Sequence, residues 1–361
     1  MFPTRPLVHF IAILAILKIT NAFVTTNPVT ALGPSSKTSL PISHMSARPF
    51  KTSELYASQV FTPTSSQGAE MGPVKAKLTK MGMMAFVASM CVALPVTLFP
   101  AAVLHKAKVI SKTRKEKASL RIGQFCSRWL MRIIPFANID VVRDDAALGE
   151  EPAIWVCNHT SMLDIFVLLA TDKKLRGKKK RPIKIIYWKD LEKNPITGLL
   201  FKMCGFFPVE MEDNGNGKAN QYKRASFKKL LKGIKEAFDE GFDIGILPEG
   251  QLNPSPEKGL QPIFSGAFTL ARMSKRPIRM MGIHGLHKLW HGDENIGMTV
   301  TGRQVKIRAY PFGRTFENAD EFVESFASVV GHFGAKGEDH PKWEDFLLNG
   351  KKNPVVQEAA M

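Results

Sequence analysis

From Asp140 onward, short apolar runs alternate with stretches of helical spacing, and few architectures accept that rhythm. Ala153–Asn158 (AIWVCN), Ile183–Trp188 (IKIIYW), Phe242–Gly250 (FDIGILPEG), Arg276–His284 and Arg303–Tyr310 are short and densely apolar, which predicts strands, the third running into a turn. Between them, Met162–Asp172, Lys223–Phe238, Gly266–Ser274 and Ala319–Gly334 read as helices. In Lys223–Phe238 the apolar residues Phe227, Leu230, Leu231, Ile234 and Phe238 fall on one helical face. Strands alternating with helices give an α/β fold: a mixed, mostly parallel sheet covered by helices. No internal repeat is present. The polar tail, 339–361, reads as peripheral.

The sequence before this region has the grammar of targeting and of membranes. Residues 1–22 read as a signal peptide, with Arg5, an apolar Leu7–Leu17 core and a cleavage-like Asn21-Ala22-Phe23. Residues 23–72 are rich in Ser, Thr and Pro and carry only Glu54 and Glu70 as acids, a transit-like bias. A signal peptide followed by a transit-like segment opening on Phe resembles the bipartite plastid address of algae with secondary plastids. The other reading is a linker, or an uncleaved anchor in the endoplasmic reticulum membrane. Residues 81–104 hold no charge, and a helix of that length, at ~1.5 Å per residue, crosses a ~30 Å hydrocarbon layer. Lysines flank both sides, and Pro95 and Pro100 are expected to kink or break the helix. This predicts an N-terminal membrane-associated helical segment ahead of a domain over 120–338. Phe125–Phe136 mixes Arg128, Arg132 and Trp129 with apolar residues, which suits either an interfacial helix or an amphipathic core helix.

The formal net charge is +18. Such a chain is attracted to something acidic: an anionic membrane, an acidic carrier protein or nucleic acid. No zinc-finger or RNA-recognition signature is present, which argues against nucleic acid as the partner. The dense basic loop Asp172–Lys184 is either a solvated loop or a docking surface. Cys91, Cys126, Cys157 and Cys204 are scattered, so neither a metal site nor a disulfide framework is expected.

The stretch CNHTSMLD, Cys157–Asp164, places a histidine and an aspartate between a strand and a helix. The spacing alone is cheap, since His340 and Asp345 repeat it in the charged tail. His159 differs in leaving the end of an apolar strand, where active-site groups of α/β sheets gather. Five residues along a regular helix turn through ~500°, so the two side chains meet only if His159 lies in the turn. The helix would then begin near Thr160 or Ser161. Asp164 either caps that helix or fixes the imidazole tautomer, leaving the other ring nitrogen to act as a base.

The NHTSMLD stretch resembles the N-H-x4-D motif of the glycerolipid acyltransferases, the lysophosphatidate acyltransferase family. Further likenesses follow in order over Phe125–Phe316: Lys189, Leu191, Pro195, Gly198 and Gly205 in WKDLEKNPITGLLFKMCGFFPVE, then LPEG at Leu247–Gly250, IFSGAFTLA, and RPI at Arg276–Ile278. The resemblance implies transfer of an acyl group from acyl-CoA or acyl carrier protein, as substrate and without a cofactor, to a lysoglycerolipid hydroxyl at a membrane. His159 would be the general base and Asp164 its orienting partner. Asn158, Glu249, Gly250, Gly205 and Lys189 would contribute to substrate binding, with main-chain N–H groups at the Gly250 turn available to an anion. Cys157 would be a neighbour and not a nucleophile. The family usually continues the third motif with Thr-Arg and closes the second with arginine. Here Gln251-Leu252 and Met211 stand there, and neither Leu nor Met forms a charge-assisted bond to phosphate. Lys189, Arg224, Arg272, Lys275 and Arg279 are the candidate replacements. A lysolipid with another head group, or a catalytically weak relative that binds lipid or acyl carrier, remains open, as does the oligomeric state.

Overall fold

The computed structural model describes residues 72–133, 137–144, 152–212, 221–222, 224–290 and 303–348. The signal-peptide and transit-like stretches up to 71, the interior of the Gly/Asn loop (213–220) and the last part of the tail lie outside the described residues.

Seven strands form the central sheet: β1 (Ala137–Arg143), β2 (Ile154–Cys157), β3 (Ile183–Trp188), β4 (Phe207–Val209), β7 (Asp243–Ile246), β8 (Ile278–His284) and β9 (Arg303–Arg314). Their order is β1-β9-β8-β2-β7-β3-β4. Five strands from β8 to β4 run parallel, and β9 with β1 runs the opposite way. The sheet is therefore mixed and mostly parallel, as the alternating pattern predicts. β5 (Met211–Glu212) and β6 (Gln221–Tyr222) make a separate antiparallel pair at the base of the Gly/Asn loop.

Strand side chains alternate between faces, and both faces are buried. Trp155 and Cys157 of β2 join one core with Ile183, Ile185 and Tyr187 of β3. Helices α1 (Pro73–Lys106), α2 (Lys112–Ile133), α3 (Asp164–Arg176) and α4 (Pro195–Cys204) cover that face. Ile154 and Val156 join the second core, under α5 (Arg224–Asp239), α6 (Gly266–Ser274) and α7 (Ala319–Phe326). α7 continues through a π-helical turn, Ala327–Gly331, into α8 (His332–Lys336). Leu230, Ile234 and Phe238 of α5 are buried, the face its spacing marks out.

The two prolines do not break the apolar segment. Residues Pro73–Lys106 form one helix containing Pro95 and Pro100. Each proline removes a single N–H, and the rest of the ladder holds. Between them the Thr97 hydroxyl donates to the carbonyls of Ala93 (2.6 Å) and Leu94 (3.2 Å). Met90, Leu94, Leu98 and Ala101, three or four residues apart, are buried, while Val92, Val96, Phe99 and Val103 are exposed. Within α1, Ala88–Lys106 is long and apolar enough to cross a membrane. In the described part of the 125–136 stretch, Cys126 and Leu130 pack inward, as in an amphipathic core helix, whereas Phe125 and Trp129 are exposed beside Arg121, Arg128 and Arg132.

The tail is not peripheral as far as Leu348. α9 (Trp343–Leu348) stacks Trp343 on Phe312, 6.0 Å between centroids, and places it 5.3 Å from Tyr310. Leu347 is buried, and Arg314 donates to the Phe346 carbonyl. The polar composition hid four apolar residues that share one short helix.

The basic loop is only partly a solvated loop. Arg176 bonds Asp172 through Nε (2.6 Å) and Asp243 through Nη1 (2.7 Å), and Lys180 pairs with Asp172. Lys173, Lys174, Lys178 and Lys179 remain exposed. This network lies where β3 and β7 begin, the sheet end opposite His159.

Candidate active site

Four parallel strands, β2, β7, β3 and β4, end on the same edge of the sheet. His159 follows β2, Glu249 follows β7, Lys189 follows β3 and Glu210 follows β4. The edge thus collects residues far apart in sequence, and its layout is set by strand order.

The chain between β2 and α3 makes a tight turn. α3 begins at Asp164, later than the Thr160 or Ser161 start expected. The delay has a cause: the Asp164 carboxylate folds the turn from inside. Its Oδ2 accepts from the N–H groups of Thr160 (2.6 Å) and Ser161 (3.0 Å), and its Oδ1 from the Thr160 hydroxyl (3.1 Å). Oδ2 also meets His159 Nδ1 at 2.7 Å. Asp164 therefore organises the turn and bonds the imidazole at once; capping and orienting are one arrangement. Asp164 is fully buried, while the His159 side chain keeps 22% of its surface. Among the described residues, nothing bonds His159 Nε2. Ser161 Oγ donates to the Trp290 carbonyl (2.7 Å), which fixes the turn against the chain after β8.

The other residues expected here take varied places. The Asn158 amide donates to the Ile283 carbonyl and accepts from the Ile283 N–H, both at 2.8 Å, so it splices the end of β2 to β8. It is buried and its bonds are taken. Glu249 is fully buried as well, and its Oε1 accepts from the His159 N–H at 2.7 Å. Burial pushes its carboxyl up to about 7, against the pull of the Gln261 and His159 N–H groups. Gly250 has φ +68°, and its N–H donates to the Leu247 carbonyl (3.0 Å), so that group is not available to an anion. Gly205 closes α4 in the left-handed region at φ +67°, and a Cβ there would lie 2.3 Å from Glu116 Oε1. Lys189 is exposed at the edge and paired with Glu210.

The candidate replacements for the missing arginines divide by position. Arg272 and Lys275 lie at the C-terminal end of α6, and Arg279 near the start of β8 bonds the Pro311 carbonyl (2.8 Å). All three belong to the opposite edge. Of the five, Lys189 is the described side chain on the His159 edge; those of Arg224 and Met211 lie outside the described residues.

Beneath the turn, between α3 and the sheet, is an apolar cavity of about 30 Å³ lined by Cys157, Ile165, Leu168, Leu169, Leu247 and Met281 among others. Burial raises the Cys157 thiol well above its ordinary value, helped by Asp164 and Glu249, which suits a packing role. Asn253 and Gln261, missed at the sequence level, bond Glu249 (3.3 and 2.9 Å). Nothing in LNPSPEKGLQ marks them; only the return of that loop to residue 159 reveals them.

Residues 135–283 match the family model described as Acyltransferase. The chain is also similar to two chloroplastic 1-acyl-sn-glycerol-3-phosphate acyltransferases. It is 27% identical to that of Brassica napus, over 44% of this chain and 40% of the relative. It is 29% identical to that of Arabidopsis thaliana, over 42% and 38%. The 1-acyl-sn-glycerol-3-phosphate acyltransferase of Saccharomyces cerevisiae is 25% identical over 42% of this chain and 45% of the relative. The alignments thus span about two fifths of each relative. The crystal structure of the 1-acyl-sn-glycerophosphate acyltransferase PlsC of Thermotoga maritima shares the fold. Its TM-score is 0.51 at 16% identity, covering 73% of this chain and 95% of that one.

Proposed function

We propose that the protein is a membrane-bound acyltransferase that moves a fatty acyl group from a thioester to the free hydroxyl of a lysoglycerolipid. The acceptor named by the relatives, 1-acylglycerol-3-phosphate, gives phosphatidate as product. The observation that carries the proposal is the buried carboxylate on His159 Nδ1, with Nε2 unbonded among the described residues on a ring that reaches the surface.

A carboxylate on Nδ1 holds its proton there, so Nε2 carries the lone pair. The acceptor hydroxyl gives its proton to Nε2 as its oxygen attacks the thioester carbon, and Asp164 stabilises the imidazolium that forms. Collapse of the tetrahedral intermediate breaks the C–S bond. The departing sulfur takes the proton from Nε2, which restores the neutral ring. Neither a serine nor a cysteine nucleophile is required. The donor is acyl-CoA or acyl carrier protein. The exposed apolar side of α1 and the aromatic and arginine residues of α2 support membrane binding. The chloroplastic relatives and the transit-like segment support a plastid membrane, with the endoplasmic reticulum as the alternative.

A second acceptor reading has its own support. Leu252 stands in for one phosphate-binding arginine, three candidate replacements lie at the far edge, and Lys189 is neutralised by Glu210. A lysolipid whose head group is not a bare phosphate monoester suits that rim. An acceptor screen read by lipid mass spectrometry, with His159→Ala as control, separates the readings. Wild type no faster than His159→Ala on every acceptor would end the enzyme reading and favour a binding role.

A further inference from the structure

Both main-chain polar groups of His159 are held by one loop. Its N–H donates to Glu249 Oε1 (2.7 Å), and its carbonyl accepts from the Asn253 N–H (3.1 Å). The second Glu249 oxygen accepts from Gln261 N (2.9 Å) and from Asn253 Nδ2 (3.3 Å). Asn253 is 1% exposed, and its amide also donates to the Gly259 carbonyl (2.6 Å) and accepts from Ser255 N (2.9 Å) and Gln261 Nε2 (3.2 Å). The loop closes on itself around Asn253 and grips residue 159 from two sides.

We propose that Glu249 and Asn253 are positioning residues that fix the reach of the His159 ring, and that neither touches the acceptor. The proposal rests on His159 being the base. Its chemistry is one of acceptor supply. Three N–H donors converge on two carboxylate oxygens, and a carboxylate offers lone pairs on both. Glutamine has the same shape but one oxygen; its NH₂ must face a donor, either at His159 N or at Gln261 N and Asn253. One side of the clasp is then lost whichever way the amide turns. A carboxylate that instead held a substrate would need open surface, and Glu249 has none.

The test compares wild type with Glu249→Gln, Glu249→Ala and Asn253→Ala in steady-state acyl transfer, with melting curves for each and hydrogen exchange of the peptide spanning 157–164. A misplaced base affects kcat, since displacements near 1 Å can cost about 10²-fold. The expected result is a kcat lowered about 10- to 100-fold, KM for acceptor and donor within about twofold, and faster exchange at His159 with cooperative melting retained. Glu249→Gln should recover little of the loss in Glu249→Ala, because shape without the second acceptor does not restore the clasp. A raised acceptor KM with kcat intact would make Glu249 a substrate contact and overturn the proposal. Unchanged kcat and exchange in Asn253→Ala would overturn it too. Should Glu249→Ala fail to fold, Asn253→Ala and Asn253→Ser decide alone. Failure of the enzyme reading looks different: wild type would then match His159→Ala, while the exchange experiment would still report whether the loop holds residue 159.

Discussion

Asp164→Asn separates the electrostatic role of the carboxylate from its role in the turn. Oδ2 accepts from His159 Nδ1, Thr160 N and Ser161 N, whereas among the described residues Oδ1 meets only the Thr160 hydroxyl. An asparagine oxygen can take the Oδ2 place, and its NH₂ can donate to the Thr160 hydroxyl, which has lone pairs to accept. The turn should survive, with loss of stability under about 1 kcal/mol. What disappears is the negative charge facing the imidazolium. Two unit charges at ~4 Å attract by ~4 kcal/mol at an effective dielectric near 20. The partly exposed ring reduces that to ~2–4 kcal/mol, and each 1.36 kcal/mol is a decade in rate. The variant should therefore lose about 30- to 1,000-fold in kcat. Transfer of a labelled acyl thioester to a lysophospholipid in detergent micelles, at saturating donor and acceptor, measures it. A melting curve shows that the fold is kept. Should Asp164→Asn turn over within about threefold of wild type while His159→Ala is dead, the charge on Asp164 has no part in the chemistry.

Four further outcomes can be checked. Gly205→Ala should lower stability by about 2 kcal/mol, combining the left-handed backbone penalty with a clash against Glu116, and leave kcat of the folded fraction unchanged. Leu347→Ala should lower stability by about 2–4 kcal/mol by thermal melting, since α9 closes the second core. The raised carboxyl of Glu249 makes the folded chain bind its proton more tightly than the unfolded chain does. That contribution erodes stability as pH rises from about 4.5 to about 7, by about 3 kcal/mol in all. Glu249→Gln, which cannot titrate, should therefore gain on wild type by about that amount between pH 5 and pH 8 in denaturant unfolding. Val96→Ser with Phe99→Ser should reduce sedimentation with anionic vesicles without shifting the melting midpoint, because both residues face outward.

The sheet was legible where its strands are apolar on both faces. The runs that become β2, β3, β7 and β8 are marked by density alone, and the helices Gly266–Ser274 and Arg224–Asp239 by period. β1 escaped because ANIDVVR carries Asn138, Asp140 and Arg143, the composition of an edge with a polar side. β4 escaped because Pro208 interrupts a strand of Phe207–Val209 only. The site divides in the same way. A local signal, five residues of spacing after a strand, made His159 and Asp164 a candidate pair, and the late start of α3 brings them together. Glu249 was marked by the LPEG resemblance, but its burial and its bond to residue 159 depend on β7 lying beside β2. Asn158 and Gly205 carry the motif resemblance, yet their surroundings show a splice and a helix terminus.

Among the described residues, the first strand of this sheet has one neighbour, and that neighbour comes late in the sequence. β1 pairs along its whole length with β9, Ala137 with Arg303 through Arg143 with Ala309. A polypeptide leaving the ribosome must hold 137–143 unpaired until more than a hundred later residues have been made, and the entropy of closing so large a loop slows assembly. Chains released early, before Arg303, would expose β8 along its hydrogen-bonding edge and leave β1 with nothing to bond. Such fragments should stick to one another or be degraded, so the domain cannot be shortened from its C-terminal side by degrees.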